Sequence, residues 1–325
     1  MSLEKSVEFI RKQKNFLIAS HTSMEGDALG SEMAFYRLVK KLGKDATVLN
    51  DDVIPYGYDF LPGLSVIRRF KKGIKNIKFD CFVALDCSDL RRTGEVYTVN
   101  SDGLPILNID HHISNSRFAD VNWVDPRASC CCEMIYRLYK KLNVPVDRDV
   151  ALYLYIGILT DTGSFRYSNT TSETHRVAAE LLQHGIAVPE VYKNVYGNIP
   201  YPDLKVLSEI LPRMKVEQKG RLAWFAINRE VFAKKKKLSF DLSESLLTFA
   251  RTLKDVEAVL VFKENLGLHK DVRVNFRSQG KIDVNRIANF FGGGGHKTAS
   301  GATIKGSLET VKKKVLKKVR EALKV

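Results

Sequence analysis

Short apolar runs alternate with longer amphipathic ones along the chain, and acidic or imidazole side chains tend to appear where an apolar run stops. Asn15-Phe16-Leu17-Ile18-Ala19-Ser20 reads as a buried strand, and it delivers His21-Thr22-Ser23-Met24-Glu25-Gly26-Asp27. Ala28, Met33, Phe35, Leu38, Val39 and Leu42 then recur at helical spacing as far as Gly43, a natural stop. Thr47-Val48-Leu49, Phe79–Leu85 and Leu104–Ile109 predict three more strands, the second releasing Asp86 and the third Asp110-His111-His112. Helices are expected over Cys131–Leu142, over Val150–Leu159, which runs into Asp161-Thr162-Gly163, and over Ser172–His184, closed by Gly185.

Strands separated by helices predict an α/β fold with a doubly wound, mostly parallel sheet. Such sheets gather ligands beyond the carboxyl ends of their strands. His21, Asp86 and Asp110–His112 all fall at predicted carboxyl ends. The stretch Ile186–Pro202 holds three prolines and Gly197, which predicts a domain boundary. The expected layout is a first domain over 1–187, a linker over 188–204, and a second, smaller α/β domain over 205–325. Strands are expected there at Arg221–Ile227, Ala258–Lys263 and Val272–Arg277, and helices at Asp241–Leu253 and Asp283–Phe291. The run Gly292-Gly293-Gly294-Gly295-His296, a short strand and a basic helix, Leu308–Leu323, complete it.

Charge sharpens this division. The 325 residues carry a net +15, yet residues 1–204 hold 25 basic and 25 acidic side chains, and residues 205–325 hold 27 against 12. A basic second half suits a polyanionic partner, although Lys234–Lys237 and the 312–318 segment also read as solvated lysine faces. No apolar run approaches the roughly 20 residues of a membrane span, and Met1-Ser2-Leu3-Glu4-Lys5 lacks the apolar core of a signal peptide. A cytoplasmic protein with no membrane partner is expected. Cys81, Cys87 and the run Cys130-Cys131-Cys132 form no CxxC pair and read as small buried residues.

His21, Glu25, Asp27, Asp86, His111 and Asp161 remain as ligand candidates. Four carboxylates and two imidazoles exceed the needs of one ion and would repel one another without cations. They suit two Mn²⁺- or Mg²⁺-like ions sharing a carboxylate, an arrangement used for in-line phosphoryl displacement.

Five motifs in order, His21-x-x-x-Glu25-x-Asp27, Leu85-Asp86-Cys87-Ser88-Asp89, Asp110-His111-His112, Thr160-Asp161-Thr162-Gly163 and Gly292–His296 with Ala299-Ser300-Gly301, resemble the DHH phosphoesterase family. The last is similar to the glycine-rich signature of the DHH-associated C-terminal domain, and the layout resembles the stand-alone NanoRNase type. The resemblance implies one Mn²⁺ on His21, the acid at 25 and Asp86. It implies another on Asp27, Asp86, His111 and Asp161, with Asp86 shared. His112 would face the scissile phosphate, as a substrate contact or proton donor, while Asp110 orients one of the two imidazoles from behind. Arg277 and the loop Gly293, Gly294, Gly295 and His296 would hold the far end of the substrate, in a second domain facing the first across a cleft. Consecutive glycines let backbone amides approach a phosphate. The family's usual residue at position 25 is Asp, so Glu25 puts the first ion site in question.

Arg166, close after Asp161-Thr162-Gly163, is either a phosphate contact or a surface residue. His175, His184 and His269 read as structural or solvated. The resemblance implies an Mn²⁺-dependent phosphodiesterase that degrades very short single-stranded oligonucleotides to mononucleotides, with 3′-phosphatase activity on pAp. Hydrolysis of a linear or cyclic dinucleotide is the alternative enzyme, and a nucleotide-binding protein with a drifted metal site the alternative of another class. A homodimer is compatible with every one of these readings.

Overall fold

The computed structural model describes residues 2–74, 77–229, 242–264 and 271–324. Lys234–Lys237 and His269 lie outside the described residues. The chain divides into two compact units, Met1–Asn198 and Ile199–Val325.

The first unit opens with helix α1 (Ser2–Lys12), followed by β1 (Asn15–Ala19), α2 (Gly26–Lys41), β2 (Asp45–Asn50), β3 (Ile67–Arg69), β4 (Cys81–Leu85), β5 (Ile106–Asp110) and β6 (Val121–Val124). The six strands form one sheet in the order β3-β2-β1-β4-β5-β6, parallel throughout. This is the doubly wound order, in which the winding direction reverses between β1 and β4.

Alternation along the strands explains both faces. Phe16 and Ile18 of β1 join the main core with α1, α2, α3 (Cys131–Leu142) and α4 (Arg148–Asp161). Leu17 and Ala19 point the other way, toward Phe82, Ala84 and Val96. That second face is covered by a 3-10 segment, Leu90–Val99, and by loop side chains such as Phe70 and Phe79, where a helix would have been expected. α5 (Ser172–Leu182) begins with a capping box at Thr171 and Thr174, and α6 (Val188–Tyr196) follows it.

The stretch 188–204, expected as a linker, is mostly helical. Pro189 and Pro202 stand in the first turns of α6 and α7 (Tyr201–Ile210). Proline is tolerated there because the first helical N–H groups have no partner within the helix. The change of unit falls at Asn198–Ile199, between these two helices.

The second unit continues with β7 (Lys215–Glu217), β8 (Leu222–Ile227), α8 (Leu242–Ala250), β9 (Ala258–Glu264), β10 (Asp271–Ser278), α9 (Val284–Phe290), β11 (Gly294–Gly295), β12 (Ala299–Lys305) and α10 (Leu308–Ala322). Its sheet runs β11-β12-β10-β9-β8-β7, parallel only between β8 and β9. Val272, Val274 and Phe276 of β10 pack with α9 and α10. Val259 and Val261 of β9 pack on the opposite face with Leu246, Leu247 and Ala250 of α8 and Val206, Leu207 and Ile210 of α7. Among the described residues, no helix is long and apolar enough to cross a membrane.

Candidate metal centre

The residues singled out in the first unit meet at the point where the sheet reverses its winding. His21 follows β1 and Asp86 follows β4, and these neighbouring strands bring His21 Nε2 to 3.3 Å from Asp86 Oδ2. Asp86 holds a left-handed backbone, φ +55, at the turn that aims its carboxylate back over the strand ends. Glu25 is the N-cap residue of α2 but makes no capping hydrogen bond. Its Oε1 lies 3.3 Å from His21 Nε2 instead, so the longer acid does reach the cluster. Asp27, one turn-position further on, is buried completely. The backbone N–H groups of Cys131 and Cys132, at the start of α3, donate to its two oxygens at 2.7 and 2.8 Å. A helix N-terminus thereby holds an acid that would otherwise be expelled from the core.

His111, at the end of β5, faces three carboxylates. Its Nε2 is 3.4 Å from Asp86 Oδ1, 3.7 Å from Asp161 Oδ2 and 3.8 Å from Asp27 Oδ2. Asp161 is the last residue of α4, and Asn169 Nδ2 donates to its Oδ2 (3.2 Å). His112 stands beside that group: its Nδ1 lies 3.5 Å from Asp86 Oδ1, Asp110 Oδ1 accepts from the same Nδ1 at 2.7 Å, and Asn115 Nδ2 donates to Asp110 Oδ2 at 2.6 Å.

The donor set fits divalent cations on its own chemistry. His21 Nδ1 lies against the Thr22 carbonyl (2.8 Å) and His111 Nδ1 against the Ala128 carbonyl (3.4 Å). A carbonyl only accepts, so each Nδ1 is the protonated nitrogen and each Nε2 is left facing carboxylates. A bare nitrogen lone pair cannot rest there without a proton or a metal between. Metal-free, the proton takes that place. Burial works against charge on His21, but Glu25 and Asp86 outweigh it and lift the ring to about 10. Burial likewise opposes charge on His111, and Asp161 and Asp86 still raise it well above the usual range.

The carboxylates show the same competition. Burial and the neighbouring Asp86 push Asp27 up to about 6, against His111 and the α3 amides. Burial raises Asp161 well above an ordinary carboxylate. Asp86 goes the other way: burial opposes its charge, but His111, His21 and His112 hold it well below the ordinary range. Its buried Oδ1 nonetheless makes no hydrogen bond of ordinary geometry. Ligand atoms of His21, Glu25 and Asp86, and separately of Asp27, Asp86 and His111, lie within 4.8 Å of one another, with Asp86 common to both sets.

A profile of the DHH family, N-terminal domain, matches residues 15–158, and one of the DHHA1 domain matches residues 217–325. The bifunctional oligoribonuclease and PAP phosphatase NrnA of Thermus thermophilus is 33% identical over 311 residues, covering 94% of this chain and 89% of that protein. The chain belongs to the DHH family. The Bacillus subtilis protein of the same name is 31% identical over 205 residues, covering 62% of this chain and 63% of that one. An exopolyphosphatase-related protein from Bacteroides fragilis superposes with a TM-score of 0.87 at 26% identity, over 100% of this chain and 98% of that one.

In the DHHA1 part, Arg277 lies on β10, where its Nη2 meets Glu244 Oε2 of α8 at 2.6 Å. The glycine loop is more packed than the sequence suggests. Gly292 and Gly293 donate their amides to Asn289 and Ala288, and His296 donates its own to Ala299. A Cβ at Gly293 would come within 2.2 Å of the Gly301 carbonyl, and one at Gly295 within 2.5 Å of the Ala299 carbonyl. These glycines therefore let β11 lie close on β12, and three amides expected for a phosphate cradle are used inside the loop. Arg166 is exposed and folds back on its own turn, Nε donating to the Gly163 carbonyl at 2.6 Å.

Four supporting features escaped the sequence reading: Asn115, Asn169, the paired amides of α3, and Arg92. The Arg92 carbonyl accepts from Thr22 N–H (2.7 Å), and its charge works against protonation of His21. Each acts through tertiary contact, and their sequence neighbourhoods carry no spacing that marks them.

Proposed function

We propose that this DHH-family chain is a divalent-metal phosphodiesterase that degrades very short oligonucleotides to mononucleotides and removes the 3′-phosphate of pAp. The observation that carries the reading is the shared carboxylate of Asp86, flanked by two imidazoles whose Nε2 atoms both face acids. The names of the Thermus and Bacillus relatives support the substrate class. His21, Glu25 and Asp86 would hold one ion, and Asp27, Asp86, His111 and Asp161 the other, with Mn²⁺ favoured by the mixed imidazole and carboxylate set. Bound there, divalent cations supply Lewis-acid stabilisation of phosphoryl oxygens and a nucleophile at neutral pH.

The chain's own residues do the rest. Asp110, fixed by Asn115, keeps the Nδ1 proton of His112 in place, so Nε2 is the atom that hands a proton to the leaving oxygen. The amides of α3 keep Asp27 charged and aimed. Arg277 takes a substrate phosphate by charge-assisted bonds, with His296 beside the glycine turn as a further contact. The basic composition of residues 205–325 raises the local concentration of a short polyanion.

A labelled ribonucleotide ladder of two to twenty residues, incubated with Mn²⁺ and with chelator, tests the reading. Mononucleotides should accumulate from the shortest members, stop with chelator, and be absent with Asp86→Ala. Full turnover in chelator, or near-normal rates for Asp86→Ala, would remove the two-metal assignment. Products only from the longest members would remove the substrate class.

A further inference from the structure

Among the described residues, two stretches hold consecutive residues in the left-handed backbone region. Gln218-Lys219-Gly220 joins β7 to β8, where a tight antiparallel turn calls for that geometry. Gly163-Ser164-Phe165, at φ +56, +60 and +63, joins no pair of strands and follows Asp161 and Thr162 at the end of α4. Ending the helix explains only its first residue. Gly163 donates its amide to the Thr160 carbonyl at 3.0 Å and Ser164 to the Leu159 carbonyl at 2.7 Å, and one left-handed glycine completes that closure. Ser164 and Phe165 then hold a conformation that a side chain makes unfavourable, and such strain calls for another account. An anion cradle is not one. The amides of Phe165, Arg166 and Tyr167 donate to Thr162 Oγ1 and, twice, to the Thr162 carbonyl, each at 3.0 Å.

The turn is pinned by its aromatic residue. Phe165 stacks on His175 of α5 at 5.1 Å between ring centres and lies 6.5 Å from Tyr155 of α4. The chain is thereby reversed, and Asn169 comes back over the end of α4. Its Nδ2 donates to the Asp161 carbonyl at 3.1 Å, to Asp161 Oδ2 at 3.2 Å and to the Ser129 carbonyl at 2.8 Å. Ser129 lies just before Cys131 and Cys132, whose amides hold Asp27. One side chain thus fastens Asp161 to the segment that fastens Asp27.

We propose that the left-handed turn at Ser164 and Phe165 is a positioning device for the second ion. It returns Asn169 to Asp161 and so keeps that carboxylate beside Asp27, where like charge alone would push the two apart. Ser164 and Phe165 act through Asn169 rather than on the ion, and what the turn needs from position 164 is a tolerant backbone, not a hydroxyl. This rests on the ion sets proposed above.

Mn²⁺ titration calorimetry of the full chain reads this directly. The parent should bind two ions. β-Branched residues resist the left-handed region. Ser164→Thr and Ser164→Val should therefore each weaken one ion roughly tenfold or more and leave the other alone, as should Asn169→Ala. Ser164→Gly and Ser164→Asn adopt the turn easily and should keep both affinities. Ser164→Thr adds only a methyl group, which guards against a Val variant that misfolds. Equal Mn²⁺ affinities across the whole set, or Ser164→Gly as weak as Ser164→Val, would overturn the proposal. A parent that binds fewer than two ions would sink the two-ion reading instead. The side-chain amide of Asn169, followed by nuclear magnetic resonance in chelator with isotope-labelled asparagine, then still decides the turn. It should exchange slowly with solvent in the parent and in Ser164→Gly, and fast in Ser164→Thr and Ser164→Val. Unchanged exchange in the two branched variants would refute the proposal.

Discussion

Glu32 offers the sharpest test of how burial shapes the first unit. It lies on α2, fully buried, where Oε2 accepts from Asn50 Nδ2 at 2.7 Å and Oε1 has no hydrogen-bond partner. Asn50 Oδ1 in turn accepts from the Ser20 N–H at 3.3 Å, next to His21. Burial raises the Glu32 carboxyl from 4.5 to about 8, against the Asn50 bond and the neighbouring Ser20, which favour its anion. At 1.36 kcal/mol per tenfold, ionising it inside the fold costs on the order of 3–5 kcal/mol. Between pH 4.5 and about 8 the folded chain keeps this proton and the unfolded chain has lost it. Stability should therefore fall as pH rises through that window. Glu32→Gln keeps the shape without the titration, so its advantage over the parent should grow from near zero at pH 4.5 to a few kcal/mol at pH 8.5. Urea unfolding in chelator measures this, followed by fluorescence of the buried Trp123 in a Trp224→Phe background so that only the first unit reports. Parallel stability curves for the two proteins across that range would refute the reasoning.

Adding Mn²⁺ to chelated protein at pH 7 should release at least two protons, one each from His21 and His111, with Asp161 adding a further share. Calorimetry in buffers of different ionisation enthalpy counts them, and a release near zero would mean that the rings are neutral without metal. Glu25→Gln should raise the Mn²⁺ needed for half-maximal rate at least tenfold, whereas Glu25→Asp should lower it or leave it alone. Equal titrations for all three would take Glu25 out of the ligand set. Because Glu244 ties down Arg277, Glu244→Gln should lower KM for short oligonucleotides by roughly two- to tenfold, and Arg277→Ala should raise it. A higher KM in Glu244→Gln would make Glu244 a positioning residue for Arg277.

Much of the first unit was readable because its strands are short, apolar and closed by polar residues. β1, β4 and β5 each announce the ligand candidate that follows them, and the parallel order then brings those ends together. β3, with exposed Arg68 and Arg69, and the half-buried β6 gave no comparable run and were missed. Prolines 189 and 202 mark the stretch in which the change of unit falls, but they open two helices there, because proline breaks a helix from within and is at home in its first turn. In the second unit β10 was plain from alternation. In the glycine loop a run of glycines signals close approach to a neighbour, and the approach to β12 is one that no spacing in the sequence marks.

The left-handed turn at Asp86 has an evolutionary consequence. A residue other than glycine in that conformation carries strain of roughly 1 kcal/mol; Asp and Asn tolerate it better than most, and Gly adopts it freely. Only Gly would relieve the backbone outright, and any neutral replacement would leave the rings of His21 and His111 without the carboxylate they share. The strained turn and the side chain that unites the two ligand sets are one residue. A lineage relieved of hydrolysis should therefore drift to Gly here, trading that shared charge for an easier turn.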